Sequence, residues 1–235
     1  MWIAAKPASP NKTYGFYRFE ILSALFNGIT LFVISGFIIW EAYQRFSEPP
    51  TVASGSMMLI ASIGLLANFI SAWVLLKKSD TKGNINVRSA YLHIIGDALG
   101  SVGAIIAGLL MLLFSWYIAD PIISVIVALL ILKSAWRVIK DAIHILMEGS
   151  PMAVDSSEVK KAMQQIDGVL DVHDMHIWSI TSGLDSLSCH LLIEESKDHE
   201  AILRQAVHLI EERFKILHCT IQVEKSDLHH GKLKV

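Results

Sequence analysis

The first half of the sequence has very little charge. Between Glu20 and Leu132, long stretches carry no Lys, Arg, Asp or Glu, and the whole chain of 235 residues is 53% hydrophobic with a mean hydropathy of +0.48. A soluble domain of ordinary composition is more polar than this. The composition therefore predicts a membrane protein, and the more polar residues from 141 onward predict a second domain outside the membrane.

Cysteine and clustered basic residues are also scarce. The two cysteines, Cys189 and Cys219, have no CxxC spacing, which excludes a disulfide framework and favours a reducing cytosolic setting. A net charge of −2 without a basic face excludes nucleic acid as a partner. No signal peptide is visible, because only four apolar residues separate Met1 from Lys6.

Four runs are long enough to cross a membrane as helices. A span needs about 20 apolar residues to cross roughly 30 Å of hydrocarbon, and residues 55–76 meet this requirement without a single charge. The third run is interrupted only by His93 and Asp97. The predicted transmembrane domain covers residues 1–149, with spans at about 19–43, 55–76, 87–114 and 119–140.

Lys and Arg side chains lie at alternate ends of these spans. They precede the first span, join the second to the third and follow the fourth, whereas the loops at 46–54 and 115–120 contain none. Because short cytosolic loops carry an excess of basic residues, we expect the carboxy-terminal domain to lie in the cytosol.

Residues 150–235 have the pattern of a small α+β domain. Asp155 or Ser156 can cap a first helix, and alternating apolar side chains favour strands after it. The predicted elements are a helix to about Ile166, a strand at 169–180, a turn at 183–185, a strand at 186–194, a helix at 199–214 and a strand at 219–223. The order is αββαβ. Because a domain of about 75 residues has a small core, we expect two copies to pair.

The most informative feature of the spans is the pair His93 and Asp97. Residues four apart lie on one helix face, and a charged aspartate near the middle of a bilayer costs roughly 2.5–3.5 kcal/mol on insertion scales. Imidazole and carboxylate are suitable zinc ligands. A purely structural hydrogen bond from Asp97 to a neighbouring helix is the alternative.

Three stretches resemble the cation diffusion facilitator family, and its zinc-type members in particular. Residues 13–22 (TYGFYRFEIL) resemble the entry to the third transmembrane helix of that family, and His93 to Asp97 matches the signature of its fifth. Residues 172–178 (VHDMHIW) and 187–190 (LSCH) resemble its cytosolic domain. The resemblance covers nearly the whole chain and implies a ferredoxin-like fold for the cytosolic part.

The resemblance also implies a function. Members export divalent cations by proton antiport as homodimers, which gives metal homeostasis or resistance, and they are not enzymes. Two ligands from the second helix and two from the fifth hold the transported ion, and His93 and Asp97 match the fifth-helix pair. A histidine there goes with zinc, cadmium or cobalt, whereas manganese-type members usually carry aspartate. We therefore expect zinc transport across a bacterial cell membrane.

The family has six transmembrane helices, of which the first two would precede residue 1. We expect the sequence to be a fragment, since a two-ligand site would bind zinc only weakly. The alternative is a truncated, non-transporting metal-binding regulator or a partner subunit of a full-length transporter. A membrane enzyme with His93 and Asp97 as acid and base has no nucleophile elbow or phosphate loop to support it.

Matching to the family implies a regulatory zinc site in the cytosolic domain, formed by His173, His190 and Glu224. The two histidines could meet across the predicted hairpin, and Glu224 could join them if the last strand pairs beside it. Other members have a histidine on the last strand where this chain has Gln222, which argues against a binuclear site.

The remaining candidates are weaker. Most of the other histidines are expected to be solvated, and the cysteines are expected to pack as small apolar side chains. The optional family site in the loop before the third helix has no matching ligands at residues 9–16, so we predict its absence. The weaker metal candidates are His176, His199, His218, His229 and His230.

Arg18 and Glu148 match positions that form a charge pair between the two domains in some members. Two ordinary charges at a membrane interface would look the same in the sequence. An interdomain pair is therefore one of two expectations for these residues.

Overall fold

Four long helices form the first part of the chain. The computed structural model describes residues 4, 6–47, 54–78 and 85–225. The helices are α1 (Arg18–Ser47), α2 (Ser54–Lys78), α3 (Ile85–Phe114) and α4 (Ala119–Leu146). By length and composition, all four are able to cross a membrane. The four helices predicted from the apolar runs are therefore present, with α4 continuing to Leu146.

Glycines let α3 approach α4 closely. A Cβ atom added to Gly103 would lie 2.7 Å from a methyl carbon of Ile123, and one added to Gly96 would lie 3.3 Å from Ile131. Small residues at close crossings are the usual means of packing helices in a membrane, where lipid removes most of the hydrophobic driving force. Glycines on α3 thus face β-branched side chains of α4.

Contacts at three levels join α1 to α4. Gly28 allows a close approach, because a Cβ atom there would lie 3.0 Å from Ile139. Further along, the rings of Phe32 and Trp136 lie 6.1 Å apart. An ion pair between Arg45 and Asp120 joins the carboxyl end of α1 to the amino end of α4.

The carboxy-terminal elements have the predicted order αββαβ. They are α5 (Ser156–Gln164), β1 (Val169–Thr181), β2 (Leu184–Ile193), α6 (His199–Phe214) and β3 (His218–Glu224). The sheet order is β1-β2-β3, with β1 and β2 antiparallel and β2 and β3 parallel. The hairpin turn lies at Ser182 and Gly183 rather than at 183–185, because Gly183 takes the left-handed conformation (φ 76°) and Leu184 already pairs with Thr181.

One apolar core holds this domain together. Alternate residues of β2, which are Leu187, Cys189, Leu191 and Ile193, are fully buried, as the alternation predicts. Asp155 caps α5, since the hydroxyl and backbone N–H of Ser157 donate to its Oδ1 at 2.7 and 2.8 Å. These bonds, of which the one from the hydroxyl has the larger effect, hold the pKa of the Asp155 carboxyl below its usual value.

The chain forms two compact units. One contains Phe19–Ile143, and the other combines Lys6–Arg18 with residues 144–225. In the second unit, Ser9 and Lys12 exchange backbone hydrogen bonds at 2.9 and 3.2 Å. The ring of Tyr14 contacts His218 edge-on, with 5.7 Å between ring centroids. The segment leading into α1 is thus packed against the amino end of β3.

Candidate metal sites

Strand pairing brings His173, His190 and Glu224 together. His173 lies directly opposite His190 in the β1–β2 hairpin. On the other side of β2, Glu224 of β3 pairs with Leu192, two residues beyond His190. Since residues two apart share a face of a strand, Glu224 can reach back toward His190. The sequence-based expectation that these three side chains meet is confirmed.

The distances within this group suit a metal ion. His190 Nδ1 lies 2.9 Å from Glu224 Oε1, and His173 Nε2 lies 3.7 Å from Glu224 Oε2. One ligand atom from each of the three residues lies within 4.8 Å of the others. Zinc held tetrahedrally at about 2.0–2.2 Å from its ligands requires nitrogen and oxygen atoms roughly 3.3 Å apart. The group therefore needs little movement to bind zinc.

Burial makes Glu224 unusual among the charged side chains. Its side chain is 1% exposed, whereas those of His173 and His190 are 33% and 17% exposed. A carboxylate removed from water needs hydrogen bonds or a cation, and Gln222 Nε2 donates one hydrogen bond to Glu224 Oε1 at 2.8 Å. Gln222 thus supports the carboxylate at the position where other family members are expected to have a histidine.

Two further carboxylates, which were missed in the sequence, face the outer sides of the two imidazoles. Asp171 Oδ2 lies 3.9 Å from His173 Nδ1, and Asp174 Oδ2 lies 3.9 Å from His190 Nε2. These are the ring nitrogens that face away from Glu224. Asp174 has a left-handed backbone (φ 48°) within an irregularity of β1 between His173 and His176. Carboxylates behind metal-ligating histidines commonly fix the orientation of the ring.

Among the residues that the structure describes, the weaker candidates are outside the group of three ligands that converge. His176 Nε2 contacts Asp174 at 3.2 Å and is half exposed. His199 is exposed at the start of α6 and His218 is exposed beside Tyr14. His229 and His230 lie outside the described residues. Cys189 is buried in the core and Cys219 is partly buried beside it, so both pack as expected.

Within the helices, His93 and Asp97 lie one turn apart on α3. His93 Nε2 is 3.5 Å from Asp97 Oδ2, and the two side chains are 45% and 49% exposed. Both can therefore turn toward one ion. A tetrahedral zinc ion would require two more ligands than this pair provides.

Two cavities meet at Asp97. The smaller cavity, about 290 Å³, is also lined by His93, Lys133 and Arg137. The larger cavity, about 580 Å³, is also lined by Asn68 and Asp120. Because α4 runs from Asp120 toward Lys133 and Arg137, the cavities extend from Asp97 toward opposite ends of the helices. An ion at Asp97 would have access to both.

Two further ion pairs involve arginines at the two ends of α1. Arg18 Nη2 lies 3.1 Å from Glu148 Oε1, with side chains 39% and 63% exposed. Arg45 Nη1 lies 2.9 Å from Asp120 Oδ2, and the Asp120 side chain is only 11% exposed. Asp120 was interpreted as a boundary of the fourth span. Its position one residue before Pro121, in the first turn of an apolar helix, is the signal that could have pointed to a partner for this carboxylate.

Nearly the whole chain is similar to known transporters. The sequence profile of the cation efflux transmembrane domain matches residues 1–147, and that of the cation efflux protein cytoplasmic domain matches residues 151–226. The two profiles meet close to the end of α4.

Individual relatives are also similar over most of the chain. The cadmium, cobalt and zinc/H(+)-K(+) antiporter of Bacillus subtilis is 48% identical over 231 residues, which are 97% of this chain and 74% of the relative. The zinc transporter ZitB of Escherichia coli is 43% identical over 225 residues, 95% of this chain and 71% of the relative. The metal-bound C-terminal domain of the CzcD transporter from Cupriavidus metallidurans is a solved structure with 38% identity, covering 30% of this chain and 99% of its own, with a TM-score of 0.29.

Proposed function

The chain belongs to the cation efflux family, and from that premise we propose that it moves a divalent metal cation out of the cytosol in exchange for protons. The observation that carries the proposal is the His93–Asp97 pair, 3.5 Å apart within an apolar helix. Ionisable side chains inside a membrane span are costly and mark ion pathways and proton relays. The four apolar helices make the chain an integral membrane protein.

Zinc is the first choice of cation, and cadmium and cobalt come next. One imidazole nitrogen and one carboxylate oxygen suit zinc, whereas a site with carboxylates alone would suit manganese. The named relatives include a cadmium, cobalt and zinc antiporter and a zinc transporter. His93 is therefore the residue that we propose to select zinc over manganese.

Competition between metal and protons for the same two side chains couples metal export to proton entry. Zinc binds neutral imidazole and ionised carboxylate, so it displaces protons from His93 and Asp97 when it binds. An ion that enters through the smaller cavity releases those protons, and protonation from the larger cavity releases the ion. The position of Asp97 between the two cavities supports this order of steps.

We propose that the group His173, His190 and Glu224 binds a regulatory zinc ion. Its ligand atoms are already within 4.8 Å of one another, and a cation there would neutralise the buried Glu224 carboxylate. The match to the cytoplasmic domain of the family supports a homodimer, in which zinc binding would draw the two copies together when the metal is plentiful.

The orientation in the membrane follows from the basic residues. Lys133, Arg137 and Lys140 lie toward the carboxyl end of α4, whereas Trp116 and Tyr117 mark the loop before it. With basic residues in the cytosol, residues 150–225 are cytosolic and the larger cavity extends toward the outside. We propose the cell membrane of a bacterium as the location.

A metal-binding regulator without transport is the second candidate. It is favoured by the contrast between three converging ligands at Glu224 and only two at Asp97. In that case the four helices would anchor a zinc sensor.

Zinc accumulation in cells that lack their own zinc exporters tests the proposal. Cells that make the chain should retain less zinc than cells with an empty vector, and Asp97→Asn should abolish the difference. Glu158→Gln is the matched control, because it removes an exposed carboxylate outside the spans. Equal zinc retention with and without the chain would favour the regulator.

A further inference from the structure

One guanidinium lies between two carboxylates at the carboxyl end of α1. Arg45 Nη1 is 2.9 Å from Asp120 Oδ2 on α4, and Arg45 Nη2 is 2.6 Å from Glu41 Oε1, one turn earlier on the same helix. The Asp120 side chain is 11% exposed, whereas Glu41 is 60% exposed. Arg45 therefore has one nearly buried partner on another helix and one exposed partner that stays within reach.

Asp120 is also part of the larger cavity. The same cavity of about 580 Å³ contains Asp97 and Ile131. From Asp120 to Ile131, α4 rises roughly 16 Å at about 1.5 Å per residue. The lining between these levels includes glycines and two hydroxyls, Ser101 and Ser124. One cavity thus extends from Asp97 to Asp120, with these small side chains among the apolar residues that line it.

We propose that Arg45 and Asp120 form a gate at this end of the cavity, and that a divalent cation opens it by competing with Arg45 for the Asp120 carboxylate. This inference rests on the proposed function, since it concerns the route by which the transported ion leaves. Asp97 and Asp120 both line this cavity, and Arg45 holds the carboxylate of Asp120 in an ion pair.

The charges explain why such a gate would be closed without metal and open with it. A nearly buried carboxylate without a partner is strongly unfavourable, so Arg45 stays on Asp120 when no cation is present. A divalent cation satisfies the same carboxylate. Arg45 then keeps Glu41 as its partner, so neither charge is left alone. An ion pair that only holds α1 against α4 would not respond to metal at all.

The gate can be tested without measuring transport. A cysteine placed at Ser124, one turn from Asp120 inside the cavity, is labelled with a charged, water-soluble thiol reagent in lipid nanodiscs, with and without manganese. Manganese is the probe because it prefers carboxylates and binds thiols poorly. The chain without the added cysteine gives the background from Cys189 and Cys219. Ser115→Cys, in the exposed loop before α4, controls for direct effects of manganese.

We expect manganese to speed labelling of Ser124→Cys, because the cation replaces Arg45 as the partner of the nearly buried carboxylate. With Asp120→Asn added, labelling should be fast from the start and should not respond to manganese. With Glu41→Gln added, more manganese should be needed, because Arg45 loses its second partner. Each variant is first shown to keep its elution volume and unfolding temperature.

Labelling that does not change with manganese, or that still responds after Asp120→Asn, would overturn the gate. If the chain moves no zinc but the manganese response is present, the proposed function fails and the cation-sensitive pair stands. If zinc is moved and the response is absent, the gate alone fails.

Discussion

His190 Nδ1 lies 2.9 Å from Glu224 Oε1, although the two residues are on different strands and 34 positions apart (224 − 190). The parallel pairing of β2 and β3 places Glu224 beside Leu192, and its buried carboxylate turns back toward the histidine. This contact places a buried carboxylate at the centre of the group, and His173 brings the number of candidate ligands to three.

Loss of the central carboxylate should weaken zinc binding. Glu224→Gln keeps the size of the side chain and its contact with Gln222 but removes the charge, so the zinc affinity of the full chain should fall by more than the roughly 10–100-fold that loss of an outer-shell partner costs. Competition with a chromophoric chelator measures it. His208→Ala, which removes an exposed histidine from α6, should leave the affinity unchanged. An equal loss in both variants would contradict the assignment.

Asp171 and Asp174 should act through the histidines that they face. Each lies 3.9 Å from the outer nitrogen of an imidazole, so Asp171→Asn or Asp174→Asn should weaken zinc binding by about 10–100-fold. The same chelator competition measures the change, and the unfolding temperature without zinc should stay nearly constant. A lower unfolding temperature with unchanged affinity would instead show a structural role.

The Arg18–Glu148 pair should contribute little to stability. Both side chains are more than a third exposed, and exposed ion pairs contribute about 0.2–1 kcal/mol. A double-mutant cycle with Arg18→Gln and Glu148→Gln, followed by thermal unfolding, should give a coupling energy in this range that disappears in high salt. A coupling energy that persists in high salt would mean that the pair is more shielded from solvent than its exposed fractions indicate.

Gly103 should tolerate a methyl group less well than Gly100. A Cβ atom at Gly103 would lie 2.7 Å from Ile123, whereas one at Gly100 would lie 4.0 Å from Val127. Since both glycines are on α3 and gain the same helix propensity from alanine, Gly103→Ala should be less stable than Gly100→Ala by about 1–3 kcal/mol. Unfolding temperatures in detergent make the comparison. Equal temperatures would contradict the close packing of α3 on α4.

The two cysteines should differ in reactivity. Burial raises the pKa of the Cys189 thiol to about 12, and burial also raises the pKa of Cys219, which is partly exposed. Because the thiolate is the reactive form, Cys189 should stay unreactive toward a thiol reagent at neutral pH until the chain unfolds. Titration of Cys219→Ala and Cys189→Ala chains separates the two. Rapid labelling of native Cys219→Ala would contradict the burial of Cys189.

The elements that depend on local sequence were predictable. Uncharged runs gave the four helices, and the alternation of Leu187, Cys189, Leu191 and Ile193 gave the buried face of β2. The hairpin turn was predicted at 183–185 but lies at Ser182 and Gly183, because Gly183 alone does not show which of its neighbours joins it in the turn.

The contacts that depend on register and packing were not predictable. Asp174 meets His190 only because β1 is irregular there and the backbone of Asp174 is left-handed. Arg45 and Asp120 are 75 residues apart and meet only when α1 packs on α4. A single sequence shows each of these charges but not its partner, so the grouping of His173, His190 and Glu224 was predicted and the two carboxylates beside the histidines were missed.

We propose that zinc and protons exchange at His93 and Asp97. Zinc entry and internal pH can be recorded together in proteoliposomes that contain the chain, with Asp97→Asn in parallel. Zinc and protons should move in opposite directions, and both movements should vanish in Asp97→Asn. Zinc movement that continues in Asp97→Asn, or that leaves the internal pH unchanged, would contradict it.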